Sequence, residues 1–285
     1  MSFVTDKDNA FVVFDTAHGT IDTNENRELR VLEIGGLSQP PASFQTVENP
    51  YIPGEVMISS HYSARIITVE ITAPREYRGQ LIKQFASGEK GRMTVVWGEN
   101  MRYIDYVVQD AEVAQATIAR DIRLFLKLRC PDVFFNDMHD FGENIAAIVP
   151  LIIFPNLWYI GDNLMSDFKR HESAVALENA GDVPIGLKFS VRAATHAVLN
   201  PVIYLSEDVF FRVNVRMQPN DVLDISTVRR EKQVLLNGVN ILNQTDMRST
   251  FFEIAPGRHT IYYGAEDGAE NIEVFLYRRP QYWGV

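Results

Sequence analysis

The stretch whose reading decides the fold is Asn220–Ile261, NDVLDISTVRREKQVLLNGVNILNQTDMRSTFFEIAPGRHTI. At its centre, Val234–Ile241 reads VLLNGVNI. An Asn-Gly pair between apolar runs signals a hairpin, because a type I′ turn needs positive φ at both central residues. A two-residue loop sets Leu236 opposite Val239 and Val234 opposite Ile241, so four apolar side chains share one face. Phe251-Phe252-Glu253-Ile254 supplies a second apolar segment, closed by Pro256-Gly257, a pair suited to a type II turn. Thr260-Ile261-Tyr262-Tyr263 supplies a third. The stretch predicts closely spaced strands of a sheet and carries no sign of chemistry.

The composition agrees. The chain has 285 residues, enough for one large or two ordinary domains, and a hydrophobic content of 46% that provides real cores. Charged residues make up 22% and the net charge is −10, the wrong sign for a non-specific nucleic-acid binder and the right one for a soluble, self-repelling protein. Cys130 is the single cysteine, so no intrachain disulfide is expected. It ends the alternation Ile122, Leu124, Leu126, Leu128, which predicts a buried, inert thiol. Met1–Ala10 is polar, and no signal peptide is expected. Ile145–Ile160, IAAIVPLIIFPNLWYI, is short for a membrane span and broken by Pro150 and Pro155; it reads as two short buried strands, with no membrane insertion.

Strands are expected at Phe11–Phe14 and Leu29–Ile34, the second stopping at Gly35-Gly36. The Pro- and Gly-rich stretch to Gly54 reads as a loop. Arg65–Thr72 alternates cleanly, with Ile67, Val69 and Ile71 on one face. At Glu76–Phe85 the period changes: Tyr77, Leu81, Ile82 and Phe85 recur at helical spacing, with Arg78 and Lys83 outside that stripe. Strands resume at Met93–Trp97, Arg102–Val108 and Ile122–Cys130. Pro131–Asn144 breaks the periodicity and marks a boundary. Beyond it come Leu151–Phe154, Ala174–Glu178, Leu187–Val191, Val202–Leu205, Phe210–Val215, Val222–Ile225 and Ile272–Tyr277, with turn signals about every ten residues, as in an all-β sandwich. The fold class is mainly β: residues 1–138 form one β domain with a single helix, and 139–285 form a β-sandwich.

The search for chemistry finds little. Asn136-Asp137-Met138-His139-Asp140 has ligand-type side chains, but the spacing of Gly142 and Glu143 does not fit a calcium loop and the region lacks the His and Cys of a zinc site. The histidines (His18, His61, His139, His171, His196 and His259) form no H-E-x-x-H pattern. There is no nucleophile elbow and no phosphate loop; Gly35-Gly36 leads into prolines instead of a helix N-terminus. Asp221 and Asp224 are expected to flank a strand start rather than act as a glycosidase couple. No catalytic residue, metal or cofactor is expected. The aromatics of the second half are expected in the core, except Tyr282 and Trp283, which need a docking place on the other domain or on a neighbouring subunit.

Read in order, several short motifs carry a resemblance. Asn179-Ala180-Gly181-Asp182-Val183-Pro184, Asp221-Val222-Leu223-Asp224-Ile225-Ser226-Thr227, Leu236-Asn237-Gly238, Phe251-Phe252-Glu253-Ile254-Ala255-Pro256-Gly257 and Tyr277–Tyr282 follow one another as in the C-terminal half of the distal tail proteins of long-tailed bacteriophages. Gly36-Leu37, Pro40-Pro41, Arg65-Ile66-Ile67, the helix to Phe85 and Arg102-Tyr103-Ile104 resemble that family's ring domain more loosely. Asn220 stands where the family has Gly, Ser226 where Asp is common, and Phe85-Ala86-Ser87 where it has F-N-P.

The resemblance implies a tail-tube-like sandwich or split barrel with one helix, followed by a galectin-like sandwich. It also implies a structural hub with no reaction of its own, found at the tail tip of a phage or prophage virion and assembled in the bacterial cytoplasm. Its expected partners are copies of itself in a hexameric ring, the tail-tube protein, the tail-tip or tail-associated lysin protein, and the tape-measure protein, without nucleic-acid contact. The ring interface is expected on the helix Glu76–Phe85 and neighbouring strand edges, with Tyr77, Arg78, Leu81, Lys83 and Phe85 as its residues. The alternative is a carbohydrate-binding module that grips a host surface glycan; an enzyme such as a wall hydrolase ranks third.

Overall fold

The computed structural model describes residues 10–48, 51, 53–114, 121–138 and 173–285. The chain divides into two compact units, Met1–Phe141 with Gln281–Val285, and Gly142–Pro280. The last five residues thus belong with the first unit, not with the second as a cut at 138/139 places them.

The first unit contains β1 (Ala10–Thr16), β2 (Gly19–Asp22), β3 (Arg30–Gly35), β4 (Ala42–Glu48), β5 (Glu55–Tyr62) and β6 (Arg65–Pro74). A 3-10 turn, Arg75–Tyr77, leads into α1 (Arg78–Gln84), followed by β7 (Lys90–Trp97), β8 (Asn100–Val113), β9 (Asp121–Cys130) and β10 (Phe135–Asp137). One antiparallel sheet runs β2-β1-β7-β8-β9-β6-β3. Val12 of β1 and Val31 and Ile34 of β3, from opposite ends of that order, line one small cavity, so the sheet curls back on itself. Strict alternation explains its inner face: Ile67, Val69 and Ile71 of β6 and Leu124, Leu126 and Leu128 of β9 are all buried. Leu81 and Phe85 close the interior from the helix, Phe85 edge-on to Phe14 at 5.4 Å.

The second unit holds β11 (Ser173–Asn179), β12 (Lys188–Ala193), β13 (Val198–Leu199), β14 (Val202–Tyr204), β15 (Phe210–Arg212), β16 (Arg216–Met217), β17 (Val222–Ser226), β18 (Gln233–Leu236), β19 (Val239–Asn240), β20 (Gly257–Gly264) and β21 (Ile272–Tyr277). β22 (Gln281–Tyr282) returns to the first unit. Two main sheets, β11-β20-β14-β15 and β19-β18-β17-β12-β21, enclose a core that includes Leu187, Phe211, Leu223 and Ile254. The fold is mainly β, as the periodicity indicated.

The opening stretch folds as its turn chemistry requires. Asn237 and Gly238 have φ of 50° and 80°, and Leu236 pairs with Val239. Ile241 N donates to Val234 O at 3.0 Å. Val234 and Ile241 are buried, but Val239 is 66% exposed, because the hairpin tip runs past the core. Asn220 has φ of 71°, a conformation that Asn tolerates better than most residues.

Two expectations fail. Phe251–Ile254 is not a strand: Ile254 makes one isolated bridge to Ile185, while Phe252 and Ile254 reach the core from irregular backbone. The stretch expected as a loop to Gly54 contains β4, whose antiparallel pairing with β5 extends from Ala42–Tyr62 to Glu48–Glu55. Pro40 and Pro41 lie before β4, and no alternation shows because the ribbon's strands are largely exposed on both faces. The strand expected at Leu151–Phe154 and the apolar run Ile145–Ile160 lie outside the described residues. Among the described residues no helix is long and apolar enough to cross a membrane.

Candidate assembly surface

The β4–β5 ribbon is the most exposed apolar feature of the first unit. Phe44, Val47, Val56, Met57, Ile58 and Tyr62 are 47–64% exposed. The register puts Phe44, Met57 and Tyr62 on one side and Val47 and Val56 on the other, with Ile58 at the bulge. The remaining positions of the two strands are mostly small or uncharged, with Glu48 and Glu55 at the far end. A two-stranded ribbon is marginal in water by itself, and each such side chain gains about 1.5–3 kcal/mol when fully buried. The ribbon is therefore built to be covered.

Its root is packed and hydrogen-bonded. Ser63 N donates to Pro41 O at 3.0 Å. The Tyr62 ring meets Phe134 at 5.9 Å and Trp283 at 5.0 Å, and Phe134 meets Trp283 at 5.3 Å, all edge-on. Arg65, the first residue of β6, lies behind this cluster and is 1% exposed. Its guanidinium donates to the carbonyls of Val133 (2.9 Å), Gly36 and Ser38 (both 2.6 Å), and Trp283, and it stacks over Phe135 at 4.8 Å. Burial lowers its pKa to about 10, so it is still a cation at neutral pH. Gly36 owes its identity to this corner: its φ is 86°, and a side chain there would strike the Ile66 carbonyl.

Gln281–Val285 completes the unit. β22 pairs with β10, Phe135 opposite Tyr282. Arg102 lies over the Tyr282 ring at 3.6 Å and donates to Gly284 O, and Val285 N donates to Leu37 O at 3.1 Å. This is the docking place that the aromatic pair Tyr282-Trp283 required. It also accounts for part of the polar cluster read from sequence: Asn136 accepts from Gln281 Nε2 and Asp137 accepts from Tyr282 Oη, each at 3.1 Å. His139, Asp140 and His171 lie outside the described residues. Among the described residues, no three His, Cys, Asp or Glu side chains are placed to hold a metal ion.

The sequence-predicted interface residues separate. Arg78 and Lys83 are exposed on α1. Tyr77 is half-buried and donates to Glu28 Oε2 at 2.7 Å. Leu81 and Phe85 are 1% and 0% exposed in the unit's own core, so neither is available to a neighbour. The physical reason is the stripe itself, since helical spacing of apolar residues marks the face turned inward. Hydrophobic alternation does not mark the ribbon, because its strands are largely exposed on both faces.

In the second unit the motif residues hold one another. Asp221 accepts from Gln218 N at 2.6 Å and from Asn237 Nδ2 at 2.8 Å, while Asn237 Oδ1 accepts from Val222 N at 2.9 Å. The strand-start aspartate and the hairpin asparagine are thus one local device. Buried Asn179 donates to the Val183 and Ile254 carbonyls at 2.9 and 3.1 Å and accepts from Gly181 N at 3.0 Å. Thr227 Oγ1 accepts from Leu187 N at 2.8 Å. Tyr204 and Tyr262 stack on each other at 5.4 Å, so each ring already spends a face. Cys130 is fully buried, and burial pushes its thiol up to about 12.

Residues 180–279 match the family model described as siphovirus-type tail component, C-terminal domain. The matched segment contains the ordered motifs Asp221–Thr227, Leu236–Gly238 and Phe251–Gly257, so this part of the chain is similar to that family. The SPP1 Dit protein, characterised as a paradigm of the hub adsorption apparatus in phages infecting Gram-positive hosts, shares the fold at TM-score 0.66 and 10% identity, over 95% of this chain and 98% of its own. A chain of the phage P2 baseplate in its activated conformation matches at TM-score 0.46 and 8% identity, over 94% of this chain and 98% of its own. No curated protein matches.

Proposed function

We propose that the chain is the hub of a phage tail tip. Copies join through their first units into a hexameric ring, which connects the tail tube to the tail-tip protein that carries adsorption or wall-degrading parts. The role is structural, with no reaction of its own. The observation that carries this reading is the β4–β5 ribbon, apolar on both sides and rooted on a packed, hydrogen-bonded corner, which supports a joint between copies. The exposed α1 residues Arg78 and Lys83 belong to the same proposed joint at most as rim; Leu81 and Phe85 do not.

Negative-stain microscopy and sedimentation of the full chain at high concentration test it. Wild type should show six-fold rings. Met57→Glu with Ile58→Glu should leave monomers whose hydrogen exchange in β6 and β9 is unchanged. A wild-type chain that stays monomeric and also fails to join a tail-tube partner would overturn the hub reading. Rings that survive the double substitution would remove the ribbon from the joint.

A further inference from the structure

Among the described residues the second unit has two sheet edges with no neighbouring strand. Among the described residues β11 pairs only with β20 and β21 only with β12, so each ends its sheet. Between these edges lies a groove of about 420 Å³. Val175, Leu177 and Leu276 make it apolar, while Glu178, Arg258 and Arg278 give it charge.

We propose that this groove takes an extended segment of a partner protein, alternately apolar and acidic, as an added strand on β11. The inference rests on the hub reading for its biological reason, since a hub must hold further parts, but its geometry stands separately. Glu178 O accepts from Arg278, so this carbonyl points into the groove and away from β20. Backbone groups alternate sides along a strand, so those of Ala174 and Ala176 face the same way. Both side chains are small and exposed and let another backbone approach. Main-chain pairing on such an edge gives affinity, and pockets for alternate side chains give specificity.

Charge chooses the segment. Arg278 Nε is buried without a hydrogen-bond acceptor among the described residues, although its neighbouring nitrogen is bonded. Arg258 is held only loosely, its Nε 3.7 Å from Glu178 Oε2. Two guanidinium groups and one carboxylate leave a positive excess, and a partner carboxylate fits a guanidinium fork. The apolar residues of the segment would lie against Leu177 and Leu276.

The test uses the full chain and a fluorescein-labelled decapeptide of alternating Val and Glu, with a Val and Lys decapeptide as control. Fluorescence anisotropy should show the acidic peptide binding and the basic one not. Ala176→Pro removes an N–H on the open side of an edge strand without touching the β20 ladder. That change and Arg278→Gln should each weaken binding by about tenfold or more. If Ala176→Pro disturbs the unit, seen as faster hydrogen exchange in β20, Arg278→Gln alone decides. No anisotropy change up to about 1 mM peptide, equal binding of the basic peptide, or variants that bind like wild type would overturn the proposal. Sedimentation of the same samples keeps the two readings apart: rings without peptide binding defeat the groove alone, and peptide binding without rings defeats the ring alone.

Discussion

Replacing Arg65 with Met tests the clasp that holds the first unit together. Methionine approximates the length of the side chain and removes its donors. Four part-buried carbonyls lose a charged partner: Gly36, Ser38, Val133 and Trp283. Hydrogen bonds to a charged group contribute about 1.5–3 kcal/mol each, roughly 6–12 kcal/mol gross. Against this stands the cost of burying the cation. The fall of its pKa from 12.5 to about 10 corresponds to about 3 kcal/mol. Water reaching the vacated carbonyls offsets part of the remainder, and the expected net loss is about 3–5 kcal/mol. The assay is urea unfolding of the full chain, with hydrogen exchange of β6 and β10 reporting the first unit and β12 and β17 the second. The first unit should lose stability and the second should not. Removing Gln281–Val285 deletes the Trp283 carbonyl and β22 together, so combining it with Arg65→Met should cost less than the two losses added. A loss below about 1 kcal/mol, an equal loss in both units, or strict additivity would refute the clasp.

Three further outcomes follow from particular side chains. Cys130 has a folded pKa raised from 9.0 to about 12, so the stability it contributes is complete below pH 9 and is lost as pH rises toward 12. Between pH 8 and 10 the first unit should lose about 1.4 kcal/mol that Cys130→Ala does not lose, read as the difference in urea midpoint slopes of the two proteins. Gly238→Ala places a side chain at φ 80° in the β18–β19 turn and should destabilise the second unit by about 1 kcal/mol, measured by thermal unfolding. Asn179→Ala abandons two buried carbonyls and one amide and should cost about 2–4 kcal/mol, with hydrogen exchange rising first at Gly181 and Ile185.

The sequence by itself determined the strands that bury one face. β6, β9 and β17 alternate because their neighbours are water on one side and core on the other, and that asymmetry is written residue by residue. Asn237-Gly238 determined a turn and its register, because few residues adopt positive φ. The order of short motifs carried a resemblance that the match over residues 180–279 supports. The tertiary structure decided whatever depends on residues distant in the chain. Arg65 carries no local sign that it will gather carbonyls from Gly36, Ser38, Val133 and Trp283. Tyr282 and Trp283 asked for a partner but could not name Phe135 or Tyr62. Leu81 and Phe85 belong to the core, since only packing shows which neighbour an apolar helix face meets. The β4–β5 ribbon left no alternation to read, because within one chain both of its sides face solvent.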